Sequence, residues 1–258
     1  MFNFVKLFLV FLTVCVTRVS AQDKQPAGDD QAKQLFYKME SRLAKAKALE
    51  CVFDINCEIS EASEHGQAIL LEGSLFLAEG NRARQEMNER TNGRPMFKLS
   101  ISDGARWWWH DEGSPPHLVN SKPWASLNAD YLTSLARCGL FVPTMPLPPV
   151  EAANSKERFP VSGFRLGPKE KVGKREAQRL EYQLLIKGQN GPAGEELPFP
   201  VTVWLDPKTS LPIKRVISQT VFGGFKITET YGKLVLDGEV SANKFEFPKV
   251  TKDTMVQQ

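Results

Sequence analysis

Apolar and polar residues alternate strictly between Leu49 and Ile59. Every odd-numbered residue in this stretch is apolar, and every even-numbered residue except Val52 is polar. Successive side chains of a β-strand point to opposite faces of a sheet, so the pattern predicts one strand with an apolar face and a solvated face. The stretch is longer than the usual strand of about five or six residues. Its apolar face must be covered, either by other parts of the protein or by a ligand, and the function depends on which of these covers it.

A helical pattern immediately precedes this strand. Between residues 32 and 46, apolar side chains recur at three- and four-residue steps and include Leu35, Met39 and Leu43, while lysines, arginines and glutamates occupy the other face. This spacing predicts an amphipathic helix whose apolar stripe packs on the sheet. Attachment of the same stripe to a membrane surface is the alternative interpretation.

The alternation recurs along most of the chain and predicts about ten or eleven strands. It stops between residues 111 and 160, where prolines are frequent and residues 127–138 have the pattern of a short helix. Runs of hairpins with helices at two places predict an α+β fold, mainly β. We expect a strongly curved antiparallel sheet with helices on one face.

The first residues have the pattern of a secretory signal peptide. Lys6 is the only charge before an apolar run too short to span a bilayer, and small residues precede Gln22. An uncleaved anchor and lipidation at Cys15 are alternatives, and Val14 is too bulky for the second. The sequence therefore predicts an exported protein. The expected organisation is a signal peptide at 1–21, a flexible leader at 22–30, one domain at 31–250 and a tail at 251–258.

Composition excludes several function classes. The formal net charge is only +3, without the strong basic patch of a nucleic-acid binder. Cys51 and Cys57 lie about 20 Å apart on the predicted strand, too far for a disulfide, so buried thiols are expected, although Cys138 could pair with one of them. Scattered histidines predict no metal site.

No arrangement typical of catalysis is present. Cys51 lies on an apolar strand face, where thiols are inert, and His110 and Asp111 are adjacent, so their side chains diverge in a strand. The sequence predicts neither an enzyme nor a cofactor site. Trp107 and Trp109 share one face of a predicted strand. They are interpreted as core residues, as an apolar wall for an acyl chain, or as a sugar-stacking surface.

Several short motifs, taken in their order along the chain, resemble the outer-membrane lipoprotein carrier (LolA-like) superfamily. They are a Gly-Ser-Leu-Phe-Leu strand at 73–77, a Ser-Asp-Gly hairpin before the tryptophans, a Val-Trp-Leu-Asp-Pro turn at 203–207 and Phe-Glu-Phe-Pro at 245–248. The resemblance implies an incomplete β-barrel whose apolar concave face is covered by helices and holds lipid acyl chains in the periplasm. The basic residue and proline that follow the glycine strand in the best-known carriers are absent, so their lid-holding arginine is not carried over.

The sequence therefore predicts a periplasmic carrier or binding protein for lipid or lipoprotein acyl chains. The alternative is an envelope sensor or scaffolding domain that binds a partner protein and fills the same face with its own side chains. We expect a monomer that meets membrane-associated donor and acceptor proteins, and the segment 142–160 is either a lid or a crossing loop. The residues expected to line the cavity are Phe53, Ile55, Ile69, Leu71, Leu75, Leu99, Trp107 and Trp109 of the sheet and Leu35, Met39 and Leu43 of the helix.

Overall fold

The computed structural model describes residues 27–59, 68–91, 94–119, 127–141, 154–190, 196–219, 224–248 and 256–257. The predicted signal peptide, Cys15 and most of the segments 142–160 and 251–258 lie outside these ranges. The first helix begins at Ala27, so residues 27–30 of the predicted leader are helical. Among the described residues, no helix has the length and apolar character needed to cross a bilayer.

The described residues form three α-helices and one sheet. The helices are α1 (Ala27–Ala44), α2 (Ala129–Cys138) and α3 (Ser155–Arg158). The strands are β1 (Ala48–Ile59), β2 (Ala68–Ala78), β3 (Arg82–Thr91), β4 (Arg94–Asp103), β5 (Trp107–Asp111), β6 (His117–Val119), β7 (Val161–Val172), β8 (Arg175–Asn190), β9 (Glu196–Leu205), β10 (Pro212–Gln219), β11 (Phe225–Leu236) and β12 (Val256–Gln257). A short 3₁₀ turn spans Ala242–Phe245.

The sheet has the strand order β12-β6-β5-β4-β3-β2-β1-β11-β10-β9-β8-β7. Strands β1 to β11 pair antiparallel, and only the two-residue β12 pairs parallel, with β6. The first and last strands of this order do not pair with each other, so the sheet is an incomplete barrel. The expected fold class is confirmed.

Strand β1 has the predicted alternation. Leu49, Cys51, Phe53, Ile55 and Cys57 are buried, while Ile59 at the end of the strand is 38% exposed. We call the face that carries these five side chains the helix face, because α1 and α2 pack against it in one hydrophobic core. The other side of the sheet is the outer face.

Strand register extends the helix face across the sheet, because residues directly opposite on paired strands share one face. One row of this face runs through Cys51, Leu75, Gln85, Ser100, Trp109 and His117. An outer-face row runs through Val52, Ser74, Glu86, Leu99 and His110.

The outer face of β2 to β5 is covered by residues 240–248, which we call the C-terminal segment. Phe245 packs on Phe76 and Ala78, and Phe247 packs on the cluster that contains Leu99 and Trp108. The guanidinium of Arg82 lies over the Phe245 ring and that of Arg106 over the Phe247 ring, at 5.3 and 5.0 Å from the ring centroids. The outer face of this half of the sheet therefore has a cover of its own, separate from the helices.

Candidate functional site

Most residues expected to line a cavity lie together on the helix face. Phe53, Ile55, Leu71, Leu75, Met39 and Leu43 are buried in one cluster with α2, and Leu35 and Ile69 are half-buried against it. The structure thus brings the strand and helix members of the predicted set into contact with one another. Their role in ligand binding stays a prediction.

The expected position of Leu99 is corrected by the register. Leu99 pairs with Glu86 and His110 on the outer face, where it packs with Ile101 and Trp108 beneath Phe247. The alternation of Phe97, Leu99 and Ile101 is real, but its apolar side faces the C-terminal segment and not the helices. On the helix face, β4 carries Lys98, Ser100 and Ser102 instead.

Trp107 and Trp109 do lie on the helix face, and both are half-buried. The indole N–H of Trp107 donates a hydrogen bond to Ser100 Oγ. The Trp109 ring stacks on His117 of β6, with ring centroids 4.1 Å apart and planes 9° from parallel. We call Trp107, Trp109 and His117 the tryptophan patch.

The tryptophan patch is polar where it meets β3 and β4. Gln85 and Ser102 are buried on this face, and the Gln85 amide lies 3.3 Å from Met87 Sδ. His117 Nδ1 is buried and has no hydrogen-bond partner among the residues that the structure describes. Met87 packs against the main core, so the polar residues Gln85 and Ser102 lie between the core and the tryptophan patch.

Two buried charges, which sequence reasoning missed, hold the end of α2 against the sheet. Arg215 of β10 donates from Nη1 to the Leu135 carbonyl at 2.9 Å and from Nη2 to the Ala136 carbonyl at 2.7 Å. Glu229 of β11 lies 3.7 Å from the Arg215 guanidinium, and both side chains are 0% exposed. The last carbonyls of a helix lack the usual partners within it. The Gly139 N–H donates to the Leu135 carbonyl, so Arg215 adds a second donor there and supplies a partner for the Ala136 carbonyl.

Glu229 and Tyr182 complete this arrangement. Glu229 Oε1 accepts hydrogen bonds from the backbone N–H groups of Leu140 and Phe141 at 2.8 and 2.9 Å. Tyr231 donates its hydroxyl to the other carboxylate oxygen, and Tyr182 donates to the Arg137 carbonyl at 2.6 Å. Burial and the neighbouring Glu229 charge raise the pKa of Tyr231 well above its usual value. The sequence did contain a signal for Arg215. Its charge lies between Ile213 and Ile217, at a strand position whose side chain points inward.

A second buried ion pair joins the two long helices. Arg137 Nε of α2 donates to Glu40 Oε1 of α1 at 2.5 Å, with both side chains 6% exposed. Arg137 also donates to the Phe159 carbonyl just after α3. Breaking such a pair would leave a charge buried without compensation, so α1 and α2 are held as one unit on the sheet.

The structure separates the groups considered for catalysis. Cys51 lies on the helix face and His110 on the outer face, so they cannot form a nucleophile and base pair. Burial raises the pKa of the Cys51 and Cys138 thiols far above the usual range, and Cys51, Cys57 and Cys138 are all free and buried. The expectation of buried, unpaired thiols is confirmed. In the described part of the chain, no group of three or more His, Cys, Asp or Glu side chains is placed to hold a metal ion.

Comparison with family models and with curated proteins finds no match. Similar solved structures include LprF from Mycobacterium bovis, at 9% identity and TM-score 0.48 over 83% of this chain and 96% of that one. MucB aligns at 12% identity and TM-score 0.41 over 86% of this chain and 64% of MucB. LolA superfamily protein NE2245 from Nitrosomonas europaea aligns at 11% identity and TM-score 0.32 over 84% and 97%. The superfamily that the motifs resemble is thus among the similar structures, but alignments at this level support no argument about ligands.

Proposed function

We propose that this chain is an exported, periplasmic carrier or binding protein for a lipid or a lipoprotein acyl chain, taken up at the tryptophan patch. The single observation that carries the proposal is the position of Trp107 and Trp109. They lie on the helix face five strands away from β11, where Glu229 accepts hydrogen bonds from the backbone just after α2. They remain half-buried there, whereas the predicted lining residues of β1 are fully buried.

The mechanism is reversible burial of apolar surface. Each CH₂ group transferred from water contributes about 0.8 kcal/mol, so an acyl chain is held by its contact area without covalent chemistry. Indole rings bury large areas, and the two tryptophans supply a wall that needs no rearrangement of the core. Phe53, Met39 and Leu43 form the packed base of the same face.

The buried charges of Arg215 and Glu229 restrict the route by which such a ligand could enter. Lifting α2 away from the sheet would remove both carbonyl partners of Arg215 and the two backbone donors to Glu229 that follow α2, while the two charges stay paired with each other. Each buried polar group left without its partner costs about 1–3 kcal/mol, and more where the group is charged. Exchange at the tryptophan patch avoids this cost, so we propose that ligands enter there while α2 stays in place.

The first test is direct. The mature protein is purified from membranes and denatured, and the released material is analysed by mass spectrometry. Binding of cis-parinaric acid is then titrated. We expect a co-purifying lipid and saturable binding that weakens at least about tenfold in the Trp107→Ala/Trp109→Ala double variant, since two large apolar contacts are lost.

Trp204→Ala is the matched control, because Trp204 is also half-buried in the sheet but lies on the outer face. Absence of lipid and of probe uptake, or equal weakening in the control, contradicts the proposal.

A second candidate function is a regulatory or scaffolding domain that binds a partner protein. It is favoured by the packed core under α1 and α2, which the protein fills with its own side chains. The two candidates are separated by placing the photocrosslinker p-benzoylphenylalanine at position 109 in living cells. An adduct of lipid mass supports the carrier, and a polypeptide adduct supports the partner-binding domain.

A further inference from the structure

The Trp107 side chain has one hydrogen-bonding group, and Ser100 of β4 accepts from it. The indole N–H of Trp107 donates to Ser100 Oγ. Ser100 lies opposite Trp109 in the strand register, so this bond runs diagonally between β5 and β4. Aromatic side chains are long enough to reach such diagonal neighbours. The Trp107 ring therefore leans over β4, whereas the Trp109 ring leans the other way, onto His117 of β6.

The fold does not need this hydrogen bond to satisfy a buried group. Trp107 is half-buried, so water could accept from its N–H if Ser100 were absent. The neighbouring Trp108, on the outer face, has a buried N–H with no acceptor among the described residues, and the fold accommodates it. What the bond to Ser100 changes is therefore the surface that Trp107 presents to a ligand.

With its N–H engaged, Trp107 presents only carbon. The indole N–H is the single hydrogen-bonding group of a tryptophan side chain. Polar neighbours on the same face of β3 and β4 also have partners, since Ser102 Oγ accepts from the Gly104 N–H at 3.2 Å and Lys98 Nζ pairs with Glu89 at 2.6 Å. A ligand on the β4 side of the tryptophan patch therefore meets ring carbon and polar groups that are already paired.

A hydroxyl group of a ligand would be unfavourable on this side. It would leave water without gaining a donor or acceptor from Trp107, and a polar group buried without a partner weakens binding. A hydrocarbon segment carries no such penalty. The buried atom of the patch that has no partner among the described residues is His117 Nδ1, so the polar end of a ligand is favoured on the β6 side.

We infer that Ser100 determines the specificity of the tryptophan patch. By accepting from the N–H of Trp107, it makes the patch select plain hydrocarbon chains over hydroxylated chains and sugars. This role rests on the proposed function and narrows its ligand class to unsubstituted acyl chains. Ser100 acts through Trp107 and is therefore a positioning residue.

The test compares stearic acid with 3-hydroxystearic and 12-hydroxystearic acid, each in competition with cis-parinaric acid for the mature protein. The native protein should bind the hydroxylated chains at least about tenfold more weakly than stearic acid. In Ser100→Ala the released N–H can donate to a hydroxyl group, so this ratio should fall to about threefold or less for at least one of the two. Ser100→Thr keeps the acceptor and should keep the ratio.

Two controls separate release of the N–H from other effects of the substitution. Ser74→Ala changes another half-buried strand serine, on the outer face, and should leave the ratio unchanged. Benzothienylalanine is a tryptophan analogue without an N–H, and at position 107 of the Ser100→Ala protein it should restore the ratio. Exchange of the Trp107 indole proton, followed by NMR, should accelerate in Ser100→Ala and not in Ser100→Thr.

The outcomes distinguish this role from the proposed function. A ratio that stays the same in Ser100→Ala, or that falls equally in Ser74→Ala, overturns the role of Ser100 and leaves the carrier function standing. If the native protein binds neither stearic nor parinaric acid, the carrier function fails and the specificity fails with it. Exchange of the indole proton would in that case still report whether Trp107 is bound to Ser100.

Discussion

The Phe53 ring lies over Gly73, its cross-strand neighbour in β2. A Cβ atom on Gly73 would lie 2.9 Å from Cζ of Phe53 and 2.3 Å from the Glu86 carbonyl oxygen. The missing side chain at position 73 therefore makes room for the ring within the helix face. The glycine in the middle of β2 is a packing requirement of the strand beside it.

Gly73→Ala should destabilise the protein by about 1–3 kcal/mol, because the added methyl group overpacks a closely filled site. Urea denaturation of both proteins measures the difference. Gly232→Ala in β11 is the matched control, since a Cβ there would make only an ordinary contact of 3.8 Å with the Val52 carbonyl. Equal free energies of unfolding for the two variants would contradict this packing requirement, because they would mean that the Phe53 ring moves aside with no loss of stability.

Arg215→Met should destabilise the protein by about 3–5 kcal/mol, because it leaves Glu229 charged in the core and removes two hydrogen bonds from the end of α2. Denaturation in urea measures this loss, and near-ultraviolet circular dichroism reports the packing around Tyr182 and Tyr231. Lys226→Met breaks a surface pair with Glu58, in which both side chains are about half exposed, and should change stability by less than about 0.5 kcal/mol. Similar costs at both sites would refute the idea that Arg215 holds α2.

Asp206 should make stability depend on pH in the acid range. The N–H of Thr209 donates to its carboxylate and lowers the pKa of Asp206, and this outweighs the opposing effect of partial burial. A carboxyl with a lowered pKa in the folded state stabilises the fold above its unfolded value of about 3.9 and loses that contribution as the pH falls through the folded value. Asp206→Asn should thus be less stable than the native protein at pH 7, by at most about 1 kcal/mol at this exposed turn.

This difference should shrink below about pH 4, where the carboxyl of the unfolded chain takes up a proton before that of the folded protein, and it is lost once the pH falls below the folded pKa of Asp206. Urea midpoints measured between pH 3 and pH 7, with Asp30→Asn as a charge-matched control, give the comparison. A difference that is constant over this range would show that the hydrogen bonds of the turn do not depend on the charge of Asp206.

The buried thiols should resist labelling in the native protein. Burial raises the pKa of Cys51, Cys57 and Cys138, so the reactive thiolate is scarce at pH 8. Cys57 is 4% exposed, against 1% for Cys51 and 0% for Cys138, so it should be modified first. Iodoacetamide labelling followed by peptide mass spectrometry gives the order. Rapid modification of Cys138 without denaturant would mean that α2 leaves the sheet readily.

Local pattern was sufficient to predict β1, the helix before it and the face that Cys51 and Phe53 share. It could not predict the cover of β4, because period-two alternation identifies two faces without saying what packs on each. Leu99 and Trp108 are buried by Phe247, which is more than a hundred residues away in sequence. Arg215 and Glu229 were missed for a related reason, since each is placed by a helix that comes from a distant part of the chain.

The pairing of β1 with β11 has a consequence for the order of folding. Cys51 lies opposite Leu234, so the central pair of the sheet cannot form until nearly the whole chain has been synthesised. Contacts between such distant segments slow folding, because a long loop must close before they contribute stability. Until β11 arrives, one edge of β1 has no strand paired with it, and an unpaired edge is an aggregation hazard. In a chain of this topology that edge therefore stays unprotected for longer than in a meander closed by neighbouring strands.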